Sequence, residues 1–387
     1  MPAVDCAPTP NATCSRGCLV WAGTARTLAD APQVFRRARD TGAILGRDGS
    51  QRTLTLAASQ SSRGLLSVTA QADGSARIKQ ASWRPLLRAP SGKPSFSFAV
   101  PRGASLFPAR DPLAVGRRFA TCAVVGSSGA VLSPRPPCGR AIDQHEAVFR
   151  INTAPVRGFE EYVGSRETFR VLNGPYEQYV AGLPAAYPRG WGTPPPDGSP
   201  VRVLADVTSA ENARQWAALA EAWRRAAGPR RARAQLLLKD HAVLHYYLAL
   251  LGHPRHRPDY PSTGLLAILV ASLRCDSVSL FGFTFHSGRN RAQYAAGSCE
   301  HVYHYYERLG WRNQLKSHNL TAEADAVRAL EAAGVVRCSG SAAAPPRQGR
   351  RRRYPPRGRG FRRAKPRAGQ STTRPPKGTQ PPRARLT

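Results

Sequence analysis

A chain of 387 residues, 41% of them apolar, is long enough for one large domain with flanking segments or for two ordinary domains. The formal charge of +33 is extreme. Residues 341–387 hold fifteen Lys/Arg and no Asp or Glu, so the rest of the chain still carries +18 and suits an anionic ligand or surface. No run approaches the ~20 apolar residues of a membrane span, and residues 1–20 lack the apolar core of a signal peptide.

In chain order, residues 1–43 read as a poorly structured lead. Over 44–106 the pattern is β-rich, with short runs at 53–57, 65–70 and 76–79 and hairpin-type turns at Asp48-Gly49 and Asp73-Gly74. From about 107 to 339 the chain reads as one α/β unit. Strands are expected at 122–125, 147–151, 201–207, 236–238, 277–283 and 335–338. Ser209 is a candidate cap for a helix carrying Trp216, Leu219, Ala220 and Trp223 on one face, ended by Gly228-Pro229. Further helices are expected over 241–251, from Thr263 onward, and over 322–333, the last closed by Gly334. Strands alternating with helices imply a mainly parallel sheet covered on both faces. Residues 340–387 are Arg/Pro/Gly-rich, bury too little to fold, and are expected to be disordered.

Eight cysteines are scattered, none in a Cys-x-x-Cys pair, so zinc spacing is absent. Disulfides in an oxidising lumen and buried free thiols both fit that distribution.

Five segments carry chemistry. Cys122-Ala-Val-Val-Gly-Ser-Ser-Gly129 runs an apolar strand into a Gly/Ser turn, which can bring backbone N–H groups to a phosphate. An ordinary tight turn explains it equally well. Asn152 follows the expected strand at 147–151, where a strand-end amide faces the ligand crevice of an α/β sheet, or simply caps its loop. Tyr260-Pro-Ser-Thr-Gly264 opens a helix with hydroxyls and free N–H groups, as an anion site or as a plain cap. His304-Tyr-Tyr-Glu307 and His318-Asn-Leu-Thr-Ala-Glu323 supply two histidines, the usual proton carriers at neutral pH, though each alone reads as structural.

Together and in this order the five segments resemble the eukaryotic and viral sialyltransferases, glycosyltransferase family 29. Residues 122–171 are similar to the large sialyl motif, 261–283 to the small one, His304–Glu307 to motif III, and His318 with Glu323 to the very small motif. The resemblance spans roughly 119–338. It implies a GT-A-like, Rossmann-type sheet and an inverting, metal-independent transfer of sialic acid from CMP-sialic acid to a hydroxyl of an acceptor glycan on glycoprotein or glycolipid. It implies His318 as the base and His304 beside the donor phosphate. It also implies donor contacts from Ser127, Asn152, Asn173, Ser262, Thr263 and Gly264, with Asn173 matching a contact of the α2,6 branch. A Cys122–Cys275 disulfide and a Golgi-lumen location follow from the same resemblance, with no cofactor expected beyond the donor substrate.

The chemistry agrees with these residue types. Departure of CMP puts positive character on the sugar and negative charge on a single phosphate, so a divalent ion is less needed than for a diphosphate, and no Asp-x-Asp occurs in the chain. Ser133-Pro-Arg-Pro-Pro-Cys138 is an unusual Pro-rich stretch inside the large motif. Two sequons occur, and Asn11 is the expected glycan site, because a glycan at Asn319 would crowd the acceptor. Two rival readings are a transferase of another CMP-activated keto-sugar, such as Kdo, and a nucleic-acid-binding protein built on the basic tail. The tail also suits anionic surfaces generally.

Overall fold

A computed structural model describes residues 43–45, 51–53, 55–58, 65–81, 95–113, 118–134, 136–173, 192–207, 209–227, 234–240, 242–243, 261–284, 302–307 and 318–338. Asn11, the turn at Asp48-Gly49, nearly all of the helix expected over 241–251, and the tail lie outside these residues.

The centre is an eight-stranded sheet in the order β13-β12-β7-β8-β9-β10-β11-β3. It comprises β3 (Ala57–Ala58), β7 (Phe119–Val125), β8 (Ala147–Ile151), β9 (Phe169–Leu172), β10 (Val201–Asp206), β11 (Ala234–Lys239), β12 (Cys275–Phe281) and β13 (Val336–Cys338). Every pairing is parallel except that of β3 with β11. β8 is buried along its whole length, as a strand covered on both faces must be. Side-chain alternation sorts the core. Cys122, Val124, Phe149 and Val171 pack on one face with helix α4 (Thr263–Arg274) and helix α5 (Leu320–Ala332). Ala123, Val125 and Val148 pack on the other, with helices α1 (Gly139–Asp143) and α2 (Glu160–Val163). Helix α3 (Ala210–Ala227) covers that second face farther along, over Val203, Ala205, Leu236 and Leu238.

Two small sheets precede the large one. β1 (Ala43–Leu45) pairs with β2 (Gln51–Thr53), and β4 (Leu66–Ala70), β5 (Ala76–Gln80) and β6 (Phe96–Val100) form an antiparallel meander. Gly74, at φ 78, makes the β4–β5 turn. Of the run expected at 53–57, only Ala57 enters the large sheet, through β3.

Several boundaries differ from expectation for local reasons. The strand expected over 277–283 runs from Cys275 to Phe281 because Gly282, at φ 68, turns the chain. At that turn Gly126 meets the Gly282 carbonyl so closely that any Cβ on Gly126 would collide with it. Helix α5 starts two residues early because the Asn319 Oδ1 accepts the Ala322 N–H at 3.1 Å and caps it.

Candidate active site

The turns after β7 and β12 bond one another, the residues after β8 and β9 do likewise, and the start of α4 lies against the end of β8 and the turn after β12. After β7, the Gly126 N–H donates to the Phe281 carbonyl and the Ser128 N–H to the Gly282 carbonyl, so the β7 and β12 turns are joined. The hydroxyls of Ser128 and Thr284 lie 3.1 Å apart. The Ser127 carbonyl accepts the Tyr305 N–H at 2.9 Å, which fastens the segment 302–307 over the turn.

Asn152, the first residue after β8, holds a left-handed conformation at φ 46, where asparagine is among the better tolerated residues. Its side-chain Oδ1 accepts the Asn173 N–H at 3.3 Å. That assignment leaves the Asn152 Nδ2 with no partner among the described residues. The Asn173 Oδ1, in contrast, is buried without a hydrogen-bond partner. Such groups are costly unless something satisfies them, which is what a polar ligand does.

Helix α4 begins at a tightly built corner. Ser262 is its N-cap and accepts the Leu265 N–H at 3.2 Å. The fully buried Glu323 carboxylate accepts the Ser262 N–H at 2.7 Å and the Ser262 hydroxyl at 2.5 Å. The Thr263 and Gly264 N–H groups remain open at the positive end of the helix dipole. A Cβ on Gly264 would sit 3.1 Å from the Phe283 ring and 3.8 Å from the Ile151 side chain, so the α4 start lies against both β12 and β8.

His304 is bonded through Nδ1 to the Glu307 carboxylate, stacks on Tyr306 and tilts against Tyr303. Burial pulls its pKa below the ordinary 6.5, against the upward pull of Glu307. His318 is half-buried and stands one residue before the α5 cap. Tyr303 lies beside His304. Burial, followed by the charges of Glu323 and Glu307, raises the Tyr303 phenol well above its usual range. The Glu323 N–H in turn donates to the Asn319 carbonyl, next to His318.

A disulfide joins Cys122 on β7 to Cys275 at the head of β12, with Cα atoms 6.0 Å apart, the pairing that the resemblance implied. Cys338 is also disulfide-bonded, and Cys138, which ends the Pro-rich stretch, is buried outside the Cys122–Cys275 bond.

Of the eight described candidate residues, Asn152 bonds Asn173, Ser262 opens the helix start that carries Thr263 and Gly264, and Ser127 bonds the neighbour of His304, while His318 stands beside the cap of α5. The sequence reading gave no role to Glu323 or Glu307, although both sit in quoted motifs, and passed over Glu167 and Arg170. Glu323 reaches Ser262 across 61 positions, for which there is no local signal. Arg170 was visible as a charge inside an apolar run.

The family model of glycosyltransferase family 29 (sialyltransferase) matches residues 104–335. A stretch of 57 residues is 51% identical to β-galactoside α-2,6-sialyltransferase 2 of Bos taurus, covering 15% of this chain and 11% of that one. A stretch of the same length is 46% identical to sialyltransferase-like protein 2 of Arabidopsis thaliana, covering 15% and 12%. These matches span only about a tenth of each curated relative. Among solved structures, a mammalian sialyltransferase aligns at 24% identity with a TM-score of 0.40, covering 61% of this chain and 75% of that one. A Campylobacter jejuni sialyltransferase in complex with cytidine-5′-monophosphate aligns at 13% identity and a TM-score of 0.34, covering 58% and 82%. The family match spans more than half of the chain and carries the assignment: the chain is a glycosyltransferase and belongs to family 29, the sialyltransferases.

Proposed function

We propose that the crevice binds CMP-sialic acid and transfers the sialic acid to a glycan hydroxyl with inversion and without a metal ion. The carrying observation is the cluster of open polar groups at one strand-end crevice: the Asn152 Nδ2, the Asn173 Oδ1, and the Thr263 and Gly264 N–H groups. Asn152 and Asn173 suit the nucleotide, and the α4 N-terminus suits its phosphate. Ser127 lines the same turn and is a further donor contact.

His304 acts on the leaving phosphate. Its Nδ1 faces Glu307, so Nε2 is the nitrogen left for the donor. A phosphate there places a second anion beside the ring, favours imidazolium, and turns Nε2 into a charged donor to the departing oxygen. His318 acts as base on the acceptor hydroxyl, which attacks the face opposite CMP and inverts the anomeric carbon. The acceptor class is a glycan on glycoprotein or glycolipid. A luminal, Golgi-type setting is supported by the Cys122–Cys275 disulfide, which an oxidising compartment preserves. Among the described residues no helix is long and apolar enough to cross a membrane, and no cluster of metal-binding side chains occurs.

The test is incubation with CMP-sialic acid and a glycan panel, followed by linkage analysis of the product. Sialylated product with inverted anomeric configuration, formed in the presence of a chelator, is expected. Transfer from CMP-Kdo but not from CMP-sialic acid would overturn the donor assignment.

A further inference from the structure

Arg170 on β9 and Glu167 just before it are both fully buried, where an apolar residue would be ordinary. Arg170 grips Glu167 with two nitrogens, Nε at 2.6 Å and Nη2 at 2.5 Å. Its remaining nitrogen, Nη1, donates to the carbonyls of both Asn152 and Ala154 at 2.9 Å. Glu167 is fixed in turn by the Gly192 N–H at 2.7 Å and stands 4.0 Å from Arg150. Arg150, also buried, donates to the carbonyls of Gly164 and Arg166.

A guanidinium anchored on one side has a fixed fork on the other. Here that fork closes on the turn that carries the strained Asn152. Two carbonyls two residues apart, held by one nitrogen, pin the chain as it leaves β8. Left-handed backbone at a residue other than glycine persists only where its surroundings over-determine it. The clamp supplies that constraint from below, and the Asn173 N–H supplies it at the side chain.

We propose that Arg170, oriented by Glu167, is a positioning residue for donor recognition: it holds the Asn152 turn so that the free Asn152 amide faces the nucleotide. This rests on the donor assignment above. Neither Arg170 nor Glu167 touches the donor in this scheme, so both act only through Asn152.

The experiment is a double-mutant cycle on the full chain, using wild type, Arg170→Lys, Asn152→Ala and the double variant. It reads CMP affinity by calorimetry, KM and kcat with CMP-sialic acid, and thermal midpoint. Lysine keeps the charge but cannot hold Glu167 and two carbonyls at once. Arg170→Lys should weaken CMP binding and raise KM by about tenfold, with kcat changed by less than about twofold. In the Asn152→Ala background the same substitution should cost nothing further in CMP affinity. If Arg170→Lys does not fold, Glu167→Gln enters the cycle in its place, with the same pattern expected. An equal loss in both backgrounds, or a change in thermal midpoint with CMP affinity intact, overturns the proposal. Wild type that binds no CMP overturns the donor reading and this inference with it, whereas CMP binding by wild type with additive losses overturns this inference alone.

Discussion

The fully buried carboxylates of Asp240 and Glu323 stand in different regions of the molecule and are used differently. Asp240, beyond β11, accepts three backbone N–H groups, from Leu65, Leu66 and Ala242, and so ties the meander to the sheet. Glu323 accepts one backbone N–H and one hydroxyl, both from Ser262, at the mouth of α4. The first carboxylate holds architecture together. The second sets the start of a helix whose next two N–H groups are left open. The half of the large sheet around α3 combines packing with a buried ion pair: Trp216 is fully buried and donates through Nε1 to the Asp206 carbonyl at 2.8 Å, and the buried Lys239 stands 3.4 Å from the Asp206 carboxylate. The region of β8 and β9 carries a left-handed asparagine, a buried amide oxygen without a hydrogen-bond partner and the two buried arginines Arg150 and Arg170, gathered around one turn.

The division can be broken by substitution. His318→Ala should lower kcat by ~10²–10⁴-fold, as for loss of a general base, with CMP affinity and thermal midpoint close to wild type. Parallel loss of stability would return His318 to a structural role. Trp216→Ala should do the reverse, costing ~3–5 kcal/mol in urea unfolding while the folded fraction keeps its kcat and KM. If transfer fell in the folded fraction, the α3 half would be part of the catalytic apparatus.

Asn152→Ala sharpens the line further. Loss of a buried hydrogen bond to a charged ligand costs ~1.5–3 kcal/mol, which should appear as weaker CMP binding in calorimetry with kcat largely kept. The smallest effect is one of pH. Burial lowers the folded-state pKa of His304 from 6.5, so the unfolded chain binds the proton more readily. The stabilising contribution is complete above the unfolded value and is lost as pH falls from there through the folded one. Thermal midpoints of the ligand-free protein should therefore decline below about pH 6.5, and less so in His304→Asn. An identical decline in both proteins would place the titration elsewhere.

Much of the fold was legible because periodicity reports burial. β7, β8, β10 and β12 are apolar runs, and α3 repeats its apolar residues at helical spacing. β9 was missed because Arg170 interrupts its apolar run, and only Glu167 and two distant carbonyls make that charge acceptable. β6 alternates Phe96, Phe98 and Val100 and could have been read as a strand. β3 is two residues long, and its pairing with β11 has no local trace. The candidate site was legible only as a conjunction of segments. Each had a plain structural reading, and the contacts that assemble them, Glu323 to Ser262 and Tyr305 to Ser127, span long stretches of sequence.

The place of β12 beside β7 has a consequence for how the chain is made. The two strands are neighbours at the heart of the sheet, yet Cys122 and Cys275 are separated by 153 positions. At ~5–20 residues per second, β7 emerges from the ribosome some 8–30 s before β12. Throughout that interval β7 can pair with β8 on one side only. Its other edge, lined by Ala123, Val124 and Val125, is an open parallel edge of the kind that invites wrong partners. The Cys122 thiol waits with it, while Cys138, much nearer in sequence, is already available for a non-native bond. A chaperone that covers this strand edge and an isomerase that undoes an early mispairing would each raise the folded yield, which refolding with and without an isomerase measures.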